Sequence, residues 1–379
     1  MRKETKAIHT PFQKRDAYGS LSFPVYNTAA YEFDSAQAMT EAFSGRVPEP
    51  DYSRVMNPTV TYFENRVKEL SGADNVFAMG TGMAAILNTL LVFAEAGKTI
   101  VTSNHLFGNT YALITQTLGR LGVKAQVADL TDTETLDKTI ASDACLIFAE
   151  YITNPQLEVV DIEKLAEVAH KHGLPLIVDT TAVPFTEIDA RKLGIDVEVL
   201  SSTKYISGGA TSLGGLILDF DTFDEVNQRI RYEFLFNLGT YMTPQVAYMQ
   251  TLGLETLDVR YRKQAQNALD LAHALQELPQ IKRVNYPGLS EDKPMGAMLT
   301  IDLESEQKCL DFLNHLKLIR RATNLFDNKS LAIHPYSTIF VNFTPEEKKE
   351  MDVFDTTIRL SMGLEDVRDL TDDIKQALG

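Results

Sequence analysis

Residues 197–209 read Val197-Glu-Val-Leu-Ser-Ser-Thr-Lys204-Tyr-Ile-Ser-Gly-Gly209. The run Val197 to Leu200 reads as a short buried strand, and it ends in hydroxyls. Lys204 stands just beyond it, among Ser201, Thr203 and other small residues. Taken alone, a lysine is most often a solvated surface charge. Exposed lysines, however, ordinarily sit on polar helix faces rather than after a buried strand. A lysine in a partly dry pocket loses some preference for its charged form. Its amine can then condense with an aldehyde to form a Schiff base. Upstream, Leu174-Pro-Leu-Ile-Val-Asp-Thr-Thr181 carries a second apolar strand that ends on an acid, Asp179. A lysine for an aldehyde and an acid for a pyridine nitrogen is the pair that pyridoxal phosphate chemistry requires.

Outward from this stretch the chain alternates between apolar strands and helical periods. Helices are expected over Thr59–Leu70, from Gly82 to about Glu95, and over Asn109–Leu121, Asp132–Ile140 and Asp161–His172. Strands are expected over Asn75–Met79, Thr99–Ser103, Lys124–Ala128, Ala144–Ala149, Pro175–Val178, Val197–Leu200 and Gly214–Leu218. Such alternation implies an α/β fold with a mostly parallel sheet and helices on both faces. A long helix is expected from Pro244 to about Leu278, where Pro279 ends it. Beyond 281 the mixture of strands and helices reads as a smaller C-terminal α+β domain. Residues 1–58, with Pro11, Pro24, Pro48, Pro50 and Pro58, read as an irregular arm that wraps something. The expected units are therefore the arm (1–58), a large domain (59–245), and the long helix with the small domain (246–379). No internal repeat or low-complexity segment is evident.

Bulk properties exclude several classes. A chain of 379 residues with 44% hydrophobic content supports a large core. A formal charge of −16 opposes binding to nucleic acid and to an anionic membrane surface. Two cysteines, Cys145 and Cys309, make no disulfide framework. No apolar leader follows Met1, and no run reaches the roughly 18 apolar residues of a membrane span, so a cytoplasmic protein is expected. Gly80-Thr-Gly82-Met-Ala-Ala85 matches a dinucleotide fingerprint, but the next strand ends in Ser103 and Asn104 rather than an acid. The helix terminus at Gly82 still suits one phosphate; the bland alternative is a tight packing turn. Gly97-Lys98-Thr99 resembles the end of a P-loop, yet Val92 stands where that loop needs glycine. His170 and His172, two apart on a helix, diverge, so no metal site is expected. Tyr52 and Arg54 offer a hydroxyl and a guanidinium that could meet a phosphate.

Several ordered motifs then carry a resemblance over nearly the whole chain. They are Glu4-Thr-Lys-Ala-Ile-His9, Tyr52-Ser-Arg-Val-Met-Asn-Pro-Thr59, Thr81-Gly-Met-Ala-Ala-Ile86, Thr153-Asn-Pro-Gln-Leu157, Ile177-Val-Asp179, Ser201-Ser-Thr-Lys-Tyr205, Lys329-Ser-Leu-Ala-Ile-His-Pro335 and Ile358-Arg-Leu-Ser-Met-Gly363. The chain resembles the Cys/Met-metabolism pyridoxal phosphate enzymes of trans-sulfuration. These include cystathionine γ-synthase, cystathionine γ-lyase, methionine γ-lyase and the homoserine-ester sulfhydrylases. The resemblance implies a fold-type-I transferase of aspartate-aminotransferase architecture. It implies that Lys204 bears the cofactor and moves protons, and that Asp179 faces the ring nitrogen. Gly82, Met83, Ser201 and Thr203 would hold the phosphate. Tyr52 and Arg54 would reach the neighbouring subunit's phosphate, in a homo-oligomer built as a dimer of dimers. Asn154 would meet the phenolic oxygen, and Arg359, with Ser330 beside it, the substrate carboxylate.

The chain departs from the family's pattern in places. Phe107 stands where a tyrosine is usual, so it can stack on the ring but has no hydroxyl to relay a proton. Asn109 replaces the cysteine typical of methionine γ-lyases. Lys329, in Asp327-Asn-Lys-Ser-Leu331, resembles the sulfhydrylases and would suit an anionic thiol or ester leaving group. Thr180, Gly209 and Ile152 replace the usual Asn, His and Pro. The expected activity is γ-replacement on an O-acylhomoserine, acetyl before succinyl, with sulfide or a thiol as donor. A γ-lyase acting on methionine or cystathionine, a cystathionine γ-synthase, and a non-catalytic cofactor-binding homologue are the alternatives.

Overall fold

The computed structural model describes residues 2–9, 18–47 and 49–379. Its centre is a seven-stranded sheet: β1 (Asn75–Met79), β2 (Thr99–Thr102), β3 (Lys124–Val127), β4 (Ala144–Glu150), β5 (Leu176–Asp179), β6 (Val197–Leu200) and β7 (Gly215–Asp219), in the order β1-β7-β6-β5-β4-β2-β3. All pairings among β2 to β6 are parallel, and β7 alone runs against its neighbours β1 and β6. The strands are almost wholly apolar because both faces are covered, as parallel sheets require. Val76, Ala78, Ile147 and Val178 face one core with the helices Pro58–Ser71 and Ile162–Lys171. The alternate residues Phe77, Met79, Phe148 and Ile177 face another with the helix Gly82–Phe93. The mostly parallel α/β reading of the sequence therefore holds.

A smaller five-stranded sheet, ordered β10-β11-β12-β9-β8, follows: β8 (Arg283–Asn285), β9 (Met298–Asp302), β10 (Arg320–Arg321), β11 (Leu331–Ile333) and β12 (Thr357–Ser361). It packs with the helices Leu257–Gln276, Glu306–His315 and Val367–Leu378 around a third core. Among the described residues, no helix is long and apolar enough to cross a membrane, and no cluster of three or more His, Cys, Asp or Glu could hold a metal.

Two expectations need correction. The arm is not irregular throughout: Lys3–His9 and Ala36–Phe43 are helices, the latter capped by the Ser35 hydroxyl; Pro11 and Pro48 lie outside the described residues. The long helix is two helices, Pro244–Glu255 and Leu257–Gln276, broken at Thr256. There the Arg260 guanidinium bonds the Gly253 carbonyl (2.7 Å) and the Thr256 hydroxyl (3.1 Å), holding groups that a continuous helix would leave to its own ladder. His170 is exposed, and its Nε2 lies 2.9 Å from the buried Asp196 carboxyl, which also accepts from the Leu176 amide.

Candidate active site

The carboxyl ends of β4, β5 and β6 open into a cavity of about 300 Å³, the place where open parallel sheets bind ligands. Asp179 ends β5 at its floor, and Lys204 enters three residues after Ser201. Gly82 and Met83 open the helix Gly82–Phe93 at one wall. Thr81 caps that helix, its hydroxyl accepting from the Ala84 amide at 3.0 Å. The amides of Gly82 and Met83, in the first turn, have no carbonyl within the helix to bond. Glycine is required here by close approach. A Cβ on residue 82 would lie 2.7 Å from Ser201 Cβ, and one on Gly215 would lie 2.2 Å from the Thr81 carbonyl oxygen.

Lys204 is held from both sides. Its Nζ donates to Asn324 Oδ1 at 3.0 Å, and the following residue, Tyr205, stacks on Phe326 with ring centres 4.0 Å apart. Burial, helped by the nearby Arg359 charge, lowers the amine to about 8, while Asp179 pulls the other way. Asp179 is buried, which raises its carboxyl; the Thr181 amide donates to it at 2.8 Å and works against that rise. Arg359, on β12 of the smaller sheet, is fully buried, and burial lowers it to about 9. Its Nη1 donates to Asn154 Oδ1 at 2.9 Å and its Nη2 to the Thr323 carbonyl at 3.4 Å. Arg359 Nε and Asn324 Nδ2 are buried donors with no acceptor.

Lys204, Asp179, Gly82, Met83, Ser201, Thr203, Asn154, Phe107 and Arg359 thus line one cavity. Four expected residues do not. The Ser330 hydroxyl is spent within its own domain, donating to Glu365 (2.9 Å) and accepting from the Gly363 amide (2.9 Å). The Lys329 side chain is two-thirds exposed, 3.8 Å from Asp327, and points to solvent rather than the cavity. Arg54 donates to the Leu235 and Phe236 carbonyls beside the Tyr52 ring, and neither residue lines its own chain's cavity. Sequence reading missed Glu150, Asn324 and Glu198. Glu150 ends β4 as Asp179 ends β5, and the two are paired in register. Burial raises both added acids, Glu198 to about 7 and Glu150 well above the usual carboxylate range. The signal for Glu150 was an acid closing an apolar run. Asn324 gave none, since it meets Lys204 across 120 residues.

These residues fit a phosphorylated pyridine aldehyde. The helix start has free amides beside two hydroxyls, a buried acid faces the cavity, and a depressed amine lies within it. Two buried donors lack an acceptor. A family model described as Cys/Met metabolism PLP-dependent enzyme matches residues 4–379. The chain is 33% identical to an L-methionine gamma-lyase of Fusobacterium nucleatum, over 99% of this chain and 97% of that protein. It is 32% identical to an O-acetyl-L-homoserine sulfhydrylase of Leptospira meyeri, over 99% and 96%. It superposes with a TM-score of 0.95, at 32% identity and full coverage of both chains, on a Campylobacter jejuni protein assigned as an O-acetylhomoserine (thiol)-lyase. That crystal structure holds a pyridoxyl-lysine monophosphate.

Proposed function

Because the chain belongs to the Cys/Met-metabolism family of pyridoxal phosphate-dependent enzymes, we propose that it exchanges the acyl group of an O-acylhomoserine, O-acetylhomoserine first, for sulfide or a thiol. The observation that carries this reading is Phe107. It lines the cavity beside Asn109 and Thr110, and its ring carries no hydroxyl that could donate a proton to a leaving group. Loss of a thiolate at Cγ benefits from a proton donor, since thiols ionise near 8.5. A carboxylate, whose acid ionises near 4, leaves unaided. A site with phenylalanine in that place therefore suits an acyl leaving group better than a sulfur one.

When bound, pyridoxal phosphate supplies the electron sink that makes the Cα and Cβ protons of an amino acid removable. Asp179 keeps the ring nitrogen protonated. The Gly82 and Met83 amides and the Ser201 hydroxyl would hold the phosphate, as a helix N-terminus does well, and Thr203 would join them by releasing the Gly214 carbonyl, to which its hydroxyl donates at 3.2 Å. Asn154 meets the phenolic oxygen and orients Arg359, whose planar fork binds the substrate carboxylate. Lys204 takes the α-proton and serves the neighbouring carbon in turn. Acetate leaves Cγ, sulfide adds there, and the products are homocysteine and acetate. Tyr52 and Arg54 act at the phosphate of a second subunit, so the working unit is at least a dimer, with a dimer of dimers the larger assembly. Ser330 and Lys329 act on the substrate only through the segments they brace, given where their side chains lie.

O-acetylhomoserine with sulfide should yield homocysteine, and O-succinylhomoserine should yield less. Methionine or cystathionine alone should release little 2-oxobutyrate. Phe107→Tyr should raise that release by at least about 100-fold, the low end for a positioned proton donor. Rapid 2-oxobutyrate formation by the unmodified enzyme would establish the γ-lyase reading instead, which the 33% identity to L-methionine gamma-lyases keeps in view.

A further inference from the structure

Glu150 closes the apolar strand β4 and is buried in the wall of the cavity. Its Oε1 accepts from the Phe107 amide at 2.7 Å and its Oε2 from the Asn154 amide at 3.1 Å. Those amides belong to two separate loops, residues 103–107 after β2 and residues 151–154 after β4. Each loop carries a side chain that lines the cavity. Asn154 in turn accepts from Arg359 at 2.9 Å. One carboxyl therefore fixes the aromatic wall, the amide beside it and, one bond further, the carboxylate clamp.

A buried carboxyl with no cation bonded to it is costly to keep. Among the described residues Glu150 makes no ion pair, and its partners are backbone amides. Its neighbour across the register is Asp179, on the adjacent strand. Adjacent parallel strands lie about 4.8 Å apart, and two carboxyls at that spacing resist ionising together. The side chain best placed to influence the charge of the ring-nitrogen acid is therefore the one that also holds the surrounding loops.

We propose that Glu150 is a positioning residue for the reaction: its two carboxyl oxygens pin the Phe107 and Asn154 loops around the cofactor and, through Asn154, the carboxylate clamp Arg359. This rests on the cofactor assignment given above but not on the acyl substrate. Glu150→Gln keeps the shape and one acceptor, but sets an NH2 group against one of the two amides.

The test uses the holoenzyme. Deuterium exchange at Cα of L-norvaline, which has no γ-leaving group, is followed by NMR in deuterated water. The pH midpoint of the visible cofactor band is followed alongside. Glu150→Gln is expected to retain the band, slow the exchange about 10- to 100-fold, and move the midpoint by at least about 0.5 pH unit. Glu150→Asp, which keeps the carboxyl on a shorter arm, should slow exchange but leave the midpoint nearer the wild type. Combined with Phe107→Ala, Glu150→Gln should cost less than the product of the two effects. Glu150→Gln or Glu150→Asp holoenzyme with wild-type exchange and midpoint would overturn the proposal. Wild-type exchange in the unmodified enzyme without homocysteine formation would count against the acyl substrate alone.

Discussion

Gly82→Ala tests the phosphate cup most directly. The added methyl would lie 2.7 Å from Ser201 Cβ and 3.1 Å from Ser201 Cα, against an ordinary carbon contact of about 3.5–4.0 Å. Neither Ser201 atom can be moved by choosing another rotamer, because both are set by the backbone that follows β6. About 1 Å must therefore come from the start of the helix Gly82–Phe93 or from the end of β6, and overpacking of this kind costs about 1–3 kcal/mol. A shift of that size also draws the Gly82 and Met83 amides away from the phosphate. Losing one hydrogen bond to a charged group costs about 1.5–3 kcal/mol, which is a roughly 10- to 150-fold weaker affinity. The assay is titration of the cofactor-free protein with pyridoxal phosphate, read from the visible band. Gly119→Ala serves as control, because nothing lies within 4 Å of its added methyl. A Gly82→Ala protein that binds the cofactor within about threefold of wild type would refute the cup, since a displaced amide cannot keep its bond.

In the cofactor-free enzyme, Lys204 should react with an acylating reagent with a midpoint near pH 8, because burial lowers its amine to about 8. Asp179→Asn removes the charge that opposes this and should lower the midpoint further; an unmoved or raised midpoint would contradict the electrostatic account. Arg359→Lys replaces a planar fork that bonds Asn154 and Thr323 with a point charge. It should raise the KM for the amino-acid substrate about 10- to 100-fold while the cofactor band persists. His105 sets its two nitrogens 2.7 Å from Glu158 and 3.0 Å from Asp352, joining the Phe107 loop to the segment after Glu350. Only the imidazolium donates from both nitrogens. The Glu158 hydrogen bond, with the charges of Glu158 and Asp352, outweighs burial and raises its pKa. The stabilisation should be full below the unfolded value of about 6.5 and fade as pH rises through the higher folded value. The difference in Tm between wild type and His105→Gln should shrink over that window, and a constant difference would disprove the clasp.

Much of the molecule was legible because its signals are local. An apolar run followed by hydroxyls and a lysine, an acid at the end of another run, and a Thr-Gly turn opening a helix each declare themselves within a few residues. Their alternation dictates a parallel sheet whose strand ends gather at one edge, and so Asp179, Ser201 and Lys204 are brought together. The break at Thr256 escaped such reading, because the nearest glycine, Gly253, lies inside the first helix and three residues before it. The Arg260 side chain makes it, by taking the Gly253 carbonyl and the Thr256 hydroxyl.

The sequence by itself determined the α/β architecture, the lysine and acid pair, and the helix terminus suited to a phosphate. Strand and helix periods and short motifs are properties of neighbouring residues. Only the tertiary structure decided which distant groups meet that pair. It set Asn324 on Lys204 and joined Arg359 to Asn154 across 205 residues. It turned Glu150 from a strand end into the anchor of two loops, and it left Ser330 and Lys329 outside the cavity that their motif suggested. The physical reason is that a hydrogen bond needs donor and acceptor within about 3 Å. Over more than 100 residues, that separation is fixed by how two sheets pack and not by any spacing along the chain.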